Sequence, residues 1–366
     1  MKVLFIGGGF RFWGMEQGLL TLEEHLQERG VQCLHVTGAW SDGVFNARLG
    51  AAGIEHHAFK LGRLYLTKPS WTFETLKELP QAGAKLRKLV RSFKPDVVVH
   101  VDNRFFLVIY PILLGLKCRH VYCEAVTPSR AWVDALIYRL IFASCSSVIA
   151  HSIDTEQAFR KMNLGRSPII TVEYGIDCRL FTSNARGART TTYIGIVGQI
   201  IPRKGHDILL KSLMLLKRRR LDVCLVIIGE GDKEFSDTLK LQIADWRLDD
   251  SIRWMGVIQD KSIIYSQFDI LAVPSRSEAF GLVAAEAGAS CLPVVASRVG
   301  GLQHVIADGE SGILVEPENA EQLSDALERL ITNPALRNSM GMAGRHRVES
   351  RFSPERMAEN FLRAVQ

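Results

Sequence analysis

The stretch Asp269-Ile-Leu-Ala-Val-Pro-Ser-Arg-Ser-Glu278-Ala-Phe-Gly281-Leu-Val-Ala-Ala-Glu286-Ala-Gly288 changes periodicity partway along. Ile270 to Val273 is an unbroken apolar run, the pattern of a strand covered on both faces. A polar loop follows, and a helix is expected to open around Phe280 or Gly281. Strand, short loop and helix in that order form the unit that builds parallel sheets. Two carboxylates eight apart on one helix would lie about 80° out of register, so Glu278 and Glu286 are not a simple surface pair. With Glu278 ahead of the helix and Glu286 in its second turn, both face the side to which the amides of Phe280, Gly281 and Leu282 point. A helix N-terminus with small neighbours takes anions. The plainer alternative is a strand-to-helix join with a solvated Glu278 and a partly buried Glu286.

The same alternation runs through the whole chain. Strands are expected at 2–6, 33–37, 97–101, 120–123, 147–150 and 169–172, then at 193–197, 223–228, 252–255, 270–273, 294–296 and 312–315. This divides into two α/β, doubly wound, Rossmann-like domains facing a cleft, with ligands at the carboxyl ends of the strands. The expected layout is an N-terminal domain over 1–181, a polar linker over 182–192 and a C-terminal domain over 193–351. A last helix over 352–366, capped by Ser353 with Pro354 in its first turn, is placed to cross back to the N-terminal domain.

Three further loops follow expected strands. Gly198-Gln199-Ile-Ile-Pro-Arg203-Lys204-Gly205 sets two adjacent cations at a strand-to-helix turn, which suits a phosphate or diphosphate, or merely solvates a loop. Gly7-Gly-Gly-Phe-Arg-Phe-Trp-Gly14-Met-Glu16 is an imperfect dinucleotide fingerprint, with Phe12 in place of the third glycine and no acidic residue closing the second strand. That argues against NAD and for glycines, Gly14 included, that turn the chain or make room for a substrate. Gly229-Glu230-Gly231 is a turn able to approach a nucleotide. In Val97-Val-Val-His100-Val-Asp102-Asn103, His100 lies on an apolar run and reads as a core residue or a catalyst, whereas Asp102 lies beyond it.

Composition excludes other classes. The 366 residues are 47% apolar and 23% charged, with 30 Gly and 12 Pro, values of neither a collagen-like nor a disordered chain. Seven cysteines without a C-x-x-C pair or Cys/His metal spacing suggest core thiols in a reducing compartment, and no metal is expected. The first residues carry too short an apolar run for a secretion signal, and no span reaches the roughly 18 apolar residues of a membrane helix. Net charge is +6: residues 1–180 hold 22 Lys+Arg against 16 Asp+Glu, the remainder 23 against 23, so the excess is N-terminal. Lys85-Leu-Arg-Lys-Leu-Val-Arg-Ser-Phe-Lys94 reads as a solvated outer helix or as a contact for anionic head groups or an anionic acceptor. Nucleic acid is disfavoured, because the whole-chain positive excess is small.

Taken together, the chain resembles the family 4 (group 1) retaining glycosyltransferases of GT-B architecture. The resemblance spans nearly the whole length and is strongest over 195–315, through Gly198 to Gly205, Ile227-Ile-Gly-Glu-Gly-Asp232, Phe268 to Leu282, Glu286-Ala, Pro293 to Gly301, Asp308-Gly and Ser311 to Val315. It implies a nucleotide-sugar donor, UDP-linked, in the C-terminal domain, with Glu278 on the sugar hydroxyls and Glu286 on the ribose. Lys204, Arg203 and the amides near Phe280 and Gly281 would hold the diphosphate, with Gln199, Leu282, Gly14 and Glu230 also lining the donor. Glu278, Lys204, Asp102 and His100 are the expected catalytic set, the family's N-terminal histidine falling near His100 or Asp102. The resemblance implies no cofactor or metal and same-face transfer to a saccharide, lipid-linked or other small acceptor; the cysteines and the short first apolar run point to a cytoplasmic enzyme, and the basic N-terminal excess leaves open an anionic acceptor or peripheral contact at an anionic inner membrane face. Gln199 stands where the family carries Arg, His304 where it carries Glu, and Ala279 where Gly is frequent. A sugar-nucleotide epimerase and a catalytically weak sugar-nucleotide-binding partner protein are the alternatives.

Overall fold

The structure is a computed structural model that describes residues 1–8, 12–61, 64, 69–125, 128, 132–181 and 190–366. It divides into two compact units, Met1–Gly175 with Pro354–Gln366, and Ile176–Ser353. The strands of the first unit are β1 (Lys2–Ile6), β2 (Gln32–Gly38), β3 (Glu55–Phe59), β4 (Val97–His100), β5 (Arg119–Glu124), β6 (Ser147–Ala150) and β7 (Ile169–Thr171). Those of the second are β8 (Thr192–Val197), β9 (Val223–Ile228), β10 (Ile252–Gly256), β11 (Ile270–Val273), β12 (Val294–Ser297) and β13 (Gly312–Val315).

Every strand pairing among the described residues is parallel, giving a 7-stranded sheet of order β3-β2-β1-β4-β5-β6-β7 and a 6-stranded sheet of order β10-β9-β8-β11-β12-β13. Parallel pairing requires helical crossovers, so the central strands are covered on both faces; β4, β6, β9 and β11 are buried along their whole length. Both units are thus the doubly wound, Rossmann-like α/β units expected. The order reverses between β1 and β4 in the first sheet and between β8 and β11 in the second. Helices following these strands diverge to opposite faces and leave a crevice at the carboxyl ends.

One strand escaped the sequence pattern. β3 reads Glu-His-His-Ala-Phe, lies at the sheet edge and has no buried residue, so it lacks an apolar run. The unit boundary also falls earlier than residue 181. The segment 176–181 belongs to the second unit: Phe181 meets Tyr265 with centroids 5.7 Å apart, and the Arg345 guanidinium donates to the Phe181 carbonyl at 3.1 Å. Of the expected linker, residues 182–189 lie outside the described residues, while Thr192 already pairs in β8.

The helix Pro354–Val365 belongs to the first unit. Its Phe361 is fully buried against Phe5 of β1, ring centroids 5.8 Å apart, a burial that contributes about 2–3 kcal/mol. Ser147 of β6 donates to the Ala364 carbonyl at 3.2 Å, tying the helix to the sheet. Among the described residues no helix is long and apolar enough to cross a membrane. The basic segment 85–94 falls in the helix Pro69–Phe93, which buries Leu86 and Val90 against the sheet.

Candidate functional site

Two loops meet at the reversal point of the second sheet, one after β8 and one after β11. Their approach depends on glycine. Gly205 has φ +72°, and a Cβ there would lie 2.0 Å from the Pro274 carbonyl oxygen. Gly229, at φ +141°, packs so closely on the β8 loop that a Cβ would come 1.9 Å from the Gly198 oxygen. Ile200 then bridges Gly231 and accepts from Asp232 at 2.9 Å, which draws the Glu230 turn alongside.

With the backbones in contact, the functional side chains converge. Lys204 Nζ lies 2.6 Å from Glu278 Oε2, both side chains largely buried at 14% and 13% exposure, and Ser275 Oγ donates to the same oxygen at 3.3 Å. Arg203 donates to the Ser277 carbonyl at 3.0 Å, and the Arg276 amide returns a bond to the Arg203 carbonyl at 2.8 Å. The Arg276 guanidinium grips Asp207 with two bonds of 3.0 and 2.8 Å and reaches Glu318 at 2.9 Å. Burial alone would raise the Asp207 carboxyl, but the Arg276 hydrogen bonds and charge hold it below its ordinary value. A depressed carboxylate stabilises the fold above its unfolded value of 3.8 and loses that contribution as pH falls through the folded value. Asp207→Asn should therefore flatten the acid limb of a stability-versus-pH curve from denaturant melts and cost about 1 kcal/mol at neutral pH.

The helix Leu282–Ala289 starts from Gly281, whose φ of +99° and crowding by Leu302, 2.6 Å from a Cβ, leave room only for glycine. Phe280 is buried beneath it, with its ring edge-on to Phe352 at 5.5 Å. No side chain caps this end, so its first amides are turned toward whatever lies ahead of the helix. Glu286, in the second turn, is 7% exposed; Lys261 Nζ pairs with one carboxylate oxygen and the Tyr265 hydroxyl donates to the other at 2.6 Å. Burial and the Glu286 charge push the Tyr265 phenol well above its ordinary value, so it remains a donor. Each carboxylate oxygen keeps a lone pair for a further donor.

Sequence reasoning passed over Lys261, Tyr265 and Arg276. A signal for the first two was present, since Lys261 and Tyr265 stand four apart in the helix Lys261–Ser266 and share a face. Arg276 lay inside the quoted stretch, but its partner Asp207 is 69 residues away in sequence.

The first unit presents the equivalent edge after β1 and β4. Gly7 and Gly8 adopt φ of +135° and +121°, and the Gly7 amide donates to the Val36 carbonyl at 2.9 Å. Gly14 opens the helix Gly14–Glu28 and is exposed. Asp102 caps the helix Asn103–Leu113, its Oδ1 accepting from the Arg104 and Phe105 amides at 2.8 and 3.0 Å. His100 is a correction: it is 0% exposed, edge-on to Phe106 at 5.0 Å, with Nε2 3.0 Å from His120 Nδ1. Burial first, then His120, hold it well below the usual histidine range, which makes it a neutral core side chain, the alternative its apolar run left open. The acceptor pocket is expected from the sequence in the loops 7–16, 103–106 and 124–130, of which residues 9–11, 126, 127, 129 and 130 lie outside the described residues.

Comparisons with known proteins identify the family and the fold. The family profile described as Glycosyl transferases group 1 matches residues 182–347, and that described as Glycosyltransferase Family 4 matches residues 13–180. The D-inositol 3-phosphate glycosyltransferase of Pseudarthrobacter chlorophenolicus is 39% identical over 166 residues, which is 44% of this chain and 39% of that protein's length. Glycogen synthase of Mycobacterium tuberculosis is 27% identical over 330 residues, 85% of this chain and 78% of that one. Among solved structures, Anabaena HepE in complex with UDP and glucose has the same fold, with a TM-score of 0.85 at 20% identity over 99% of this chain and 98% of that one.

Proposed function

Because the chain belongs to the group 1 glycosyltransferases of GT-B architecture, we propose that it moves a sugar from a UDP-linked donor to an acceptor, with retention of configuration and without a metal. One observation carries the donor assignment. Lys204, Glu278, the uncapped end of Leu282–Ala289 and the oriented Glu286 carboxylate gather at the reversal point of one sheet. UDP is favoured as the nucleotide because Anabaena HepE, of the same fold, was crystallised with it.

The chemistry follows from where charge develops. As the bond between sugar and diphosphate breaks, negative charge grows on the leaving phosphate. Lys204, Arg203 and the helix amides are fixed groups of the right sign and bind that state better than the ground state. Glu278 accepts from the sugar hydroxyls, held in place by Lys204 and Ser275. Glu286 accepts from the ribose hydroxyls, its two oxygens set by Lys261 and Tyr265. In same-face transfer the departing phosphate takes the acceptor proton, so no protein base is required there. Gln199 is neutral where the family resemblance places an Arg, which leaves Lys204 and Arg203 as the diphosphate cations in this reading.

The acceptor in this reading is held by the first unit and is anionic or lipid-linked, in keeping with that half's positive excess. Contact with an anionic membrane through Lys85, Arg87, Lys88 and Arg91 belongs to the same reading and should appear as salt-sensitive sedimentation with phosphatidylglycerol vesicles. For the donor, a thermal-shift panel of nucleotide sugars should single out UDP-sugars, and acceptor-dependent UDP release should follow. An epimerase would release no UDP, a binding partner would give the shift without turnover, and failure of every nucleotide sugar to stabilise the protein would exclude the donor reading.

A further inference from the structure

The first unit contains a buried ionisable pair that none of the functions above uses. His35 of β2 and Glu23 of the helix Gly14–Glu28 are both fully buried, with His35 Nδ1 2.6 Å from Glu23 Oε1. The other ring nitrogen, Nε2, lies 3.0 Å from the carbonyl oxygen of Gly7. The imidazole therefore sits between two acceptors. A neutral ring has one N–H and one lone pair, so it would set the lone pair against a carboxylate or a carbonyl oxygen. Only with two protons on the histidine–carboxylate pair are both contacts attractive.

Gly7 is where β1 ends and the glycine-rich loop begins, at the reversal point between β1 and β4. Its conformation has little slack: φ is +135°, the amide is committed to Val36, and a Cβ would lie 2.4 Å from Val101 Cγ2. The carbonyl thus sets the direction in which the chain leaves the strand. The His35 ring stacks on Phe5 and meets Phe45 edge-on, at centroid distances of 6.0 and 5.0 Å.

We propose that His35 is a positioning residue for the ligand edge of the first unit: paired with Glu23, its imidazolium holds the Gly7 carbonyl and so fixes the start of the glycine-rich loop. The proposal rests on the acceptor-site reading of that loop, while its geometry stands independently of which acceptor binds. Titratable groups facing the ring are Glu23 and Glu16 on the helix and, beside Glu23, Cys33 on the strand. Burial would lower the histidine, but the Glu23 charge and hydrogen bond, the Gly7 carbonyl and Glu16 together raise it above 6.5. With the folded value raised, the bond to Gly7 is intact below that ordinary value and is lost as pH rises through the folded one.

NMR of the full chain, with nitrogen-15 in the imidazoles and carbon-13 in the glycine carbonyls, tests this directly. Expected are two protonated ring nitrogens on His35 at pH 6.5 or below, and a Gly7 carbonyl shift that titrates with the same midpoint while Gly198 stays constant. Glu23→Gln should lower that midpoint by about one pH unit or more, and the Gly7 shift should follow. A single neutral His35 tautomer from about pH 5 to 8, or a Gly7 carbonyl blind to the His35 titration, overturns the proposal. The wild-type titration decides the matter even where the variant fails to fold. The readout needs no sugar transfer, so failure of the donor reading, seen as absence of UDP-sugar binding, remains separately visible.

Discussion

Lys204→Ala should lower turnover by about two to three orders of magnitude and weaken binding of UDP and UDP-sugars together. The side chain serves two anions. Its ammonium is the buried partner of Glu278 at 2.6 Å, and in the proposed reaction it faces the diphosphate as that group gains charge. Removing it leaves a carboxylate of 13% exposure uncompensated at the place where a second anion must bind, so ground state and transition state both suffer. Glu278→Gln provides the contrast. It keeps the shape and removes the charge, so UDP affinity should hold or improve while transfer falls. Calorimetric titration with UDP beside steady-state turnover separates the two outcomes. Unchanged kinetics in Lys204→Ala would remove Lys204 from the diphosphate site.

The second large effect is expected from a single methyl group. Gly205→Ala places a Cβ where the Pro274 carbonyl oxygen stands, 2.0 Å away, at a φ of +72°. The left-handed conformation alone costs about 1–2 kcal/mol, and displacing a backbone carbonyl adds to it, so a loss of about 3 kcal/mol or more is expected. Gly53→Ala is the control: φ is +70° there, but nothing lies within 4 Å, so it should lose only the conformational part. In Gly205→Ala the relief of the clash would part the β8 loop from the β11 loop and carry Lys204 away from Glu278. Thermal melts of both variants, with UDP titration of the survivor, test this. Equal losses in the two would show that the loops tolerate separation.

Much of this was legible in sequence because the chemistry is local in the chain. Glu278, Phe280, Gly281 and Glu286 fall within one strand–loop–helix unit, and Arg203 with Lys204 within another, so their spacing pointed to an anion site, while the donor roles proposed for them came from the family resemblance. Twelve of the 13 strands among the described residues followed the apolar pattern, the central ones because parallel strands there are covered on both faces. β3 did not, because an edge strand can pair while its side chains stay in water. The contacts that hold the site together were not legible, since they join distant positions: Arg276 to Asp207, Lys261 to Glu286, His35 to the Gly7 carbonyl. His100 shows the reverse limit. A histidine at the end of a central strand has the right address for chemistry, and only three-dimensional burial shows it turned inward on His120.

The return of Pro354–Gln366 to the first unit has a consequence for how the protein is made. The second unit, Ile176–Ser353, is in effect an insertion within the first. On the ribosome, β1 to β7 emerge early, yet the surface over Phe5 stays uncovered until the helix bearing Phe361 has been synthesised. The first unit to appear is therefore the last to be completed, and its exposed apolar face must be tolerated, or shielded by chaperones, while the whole second unit is translated.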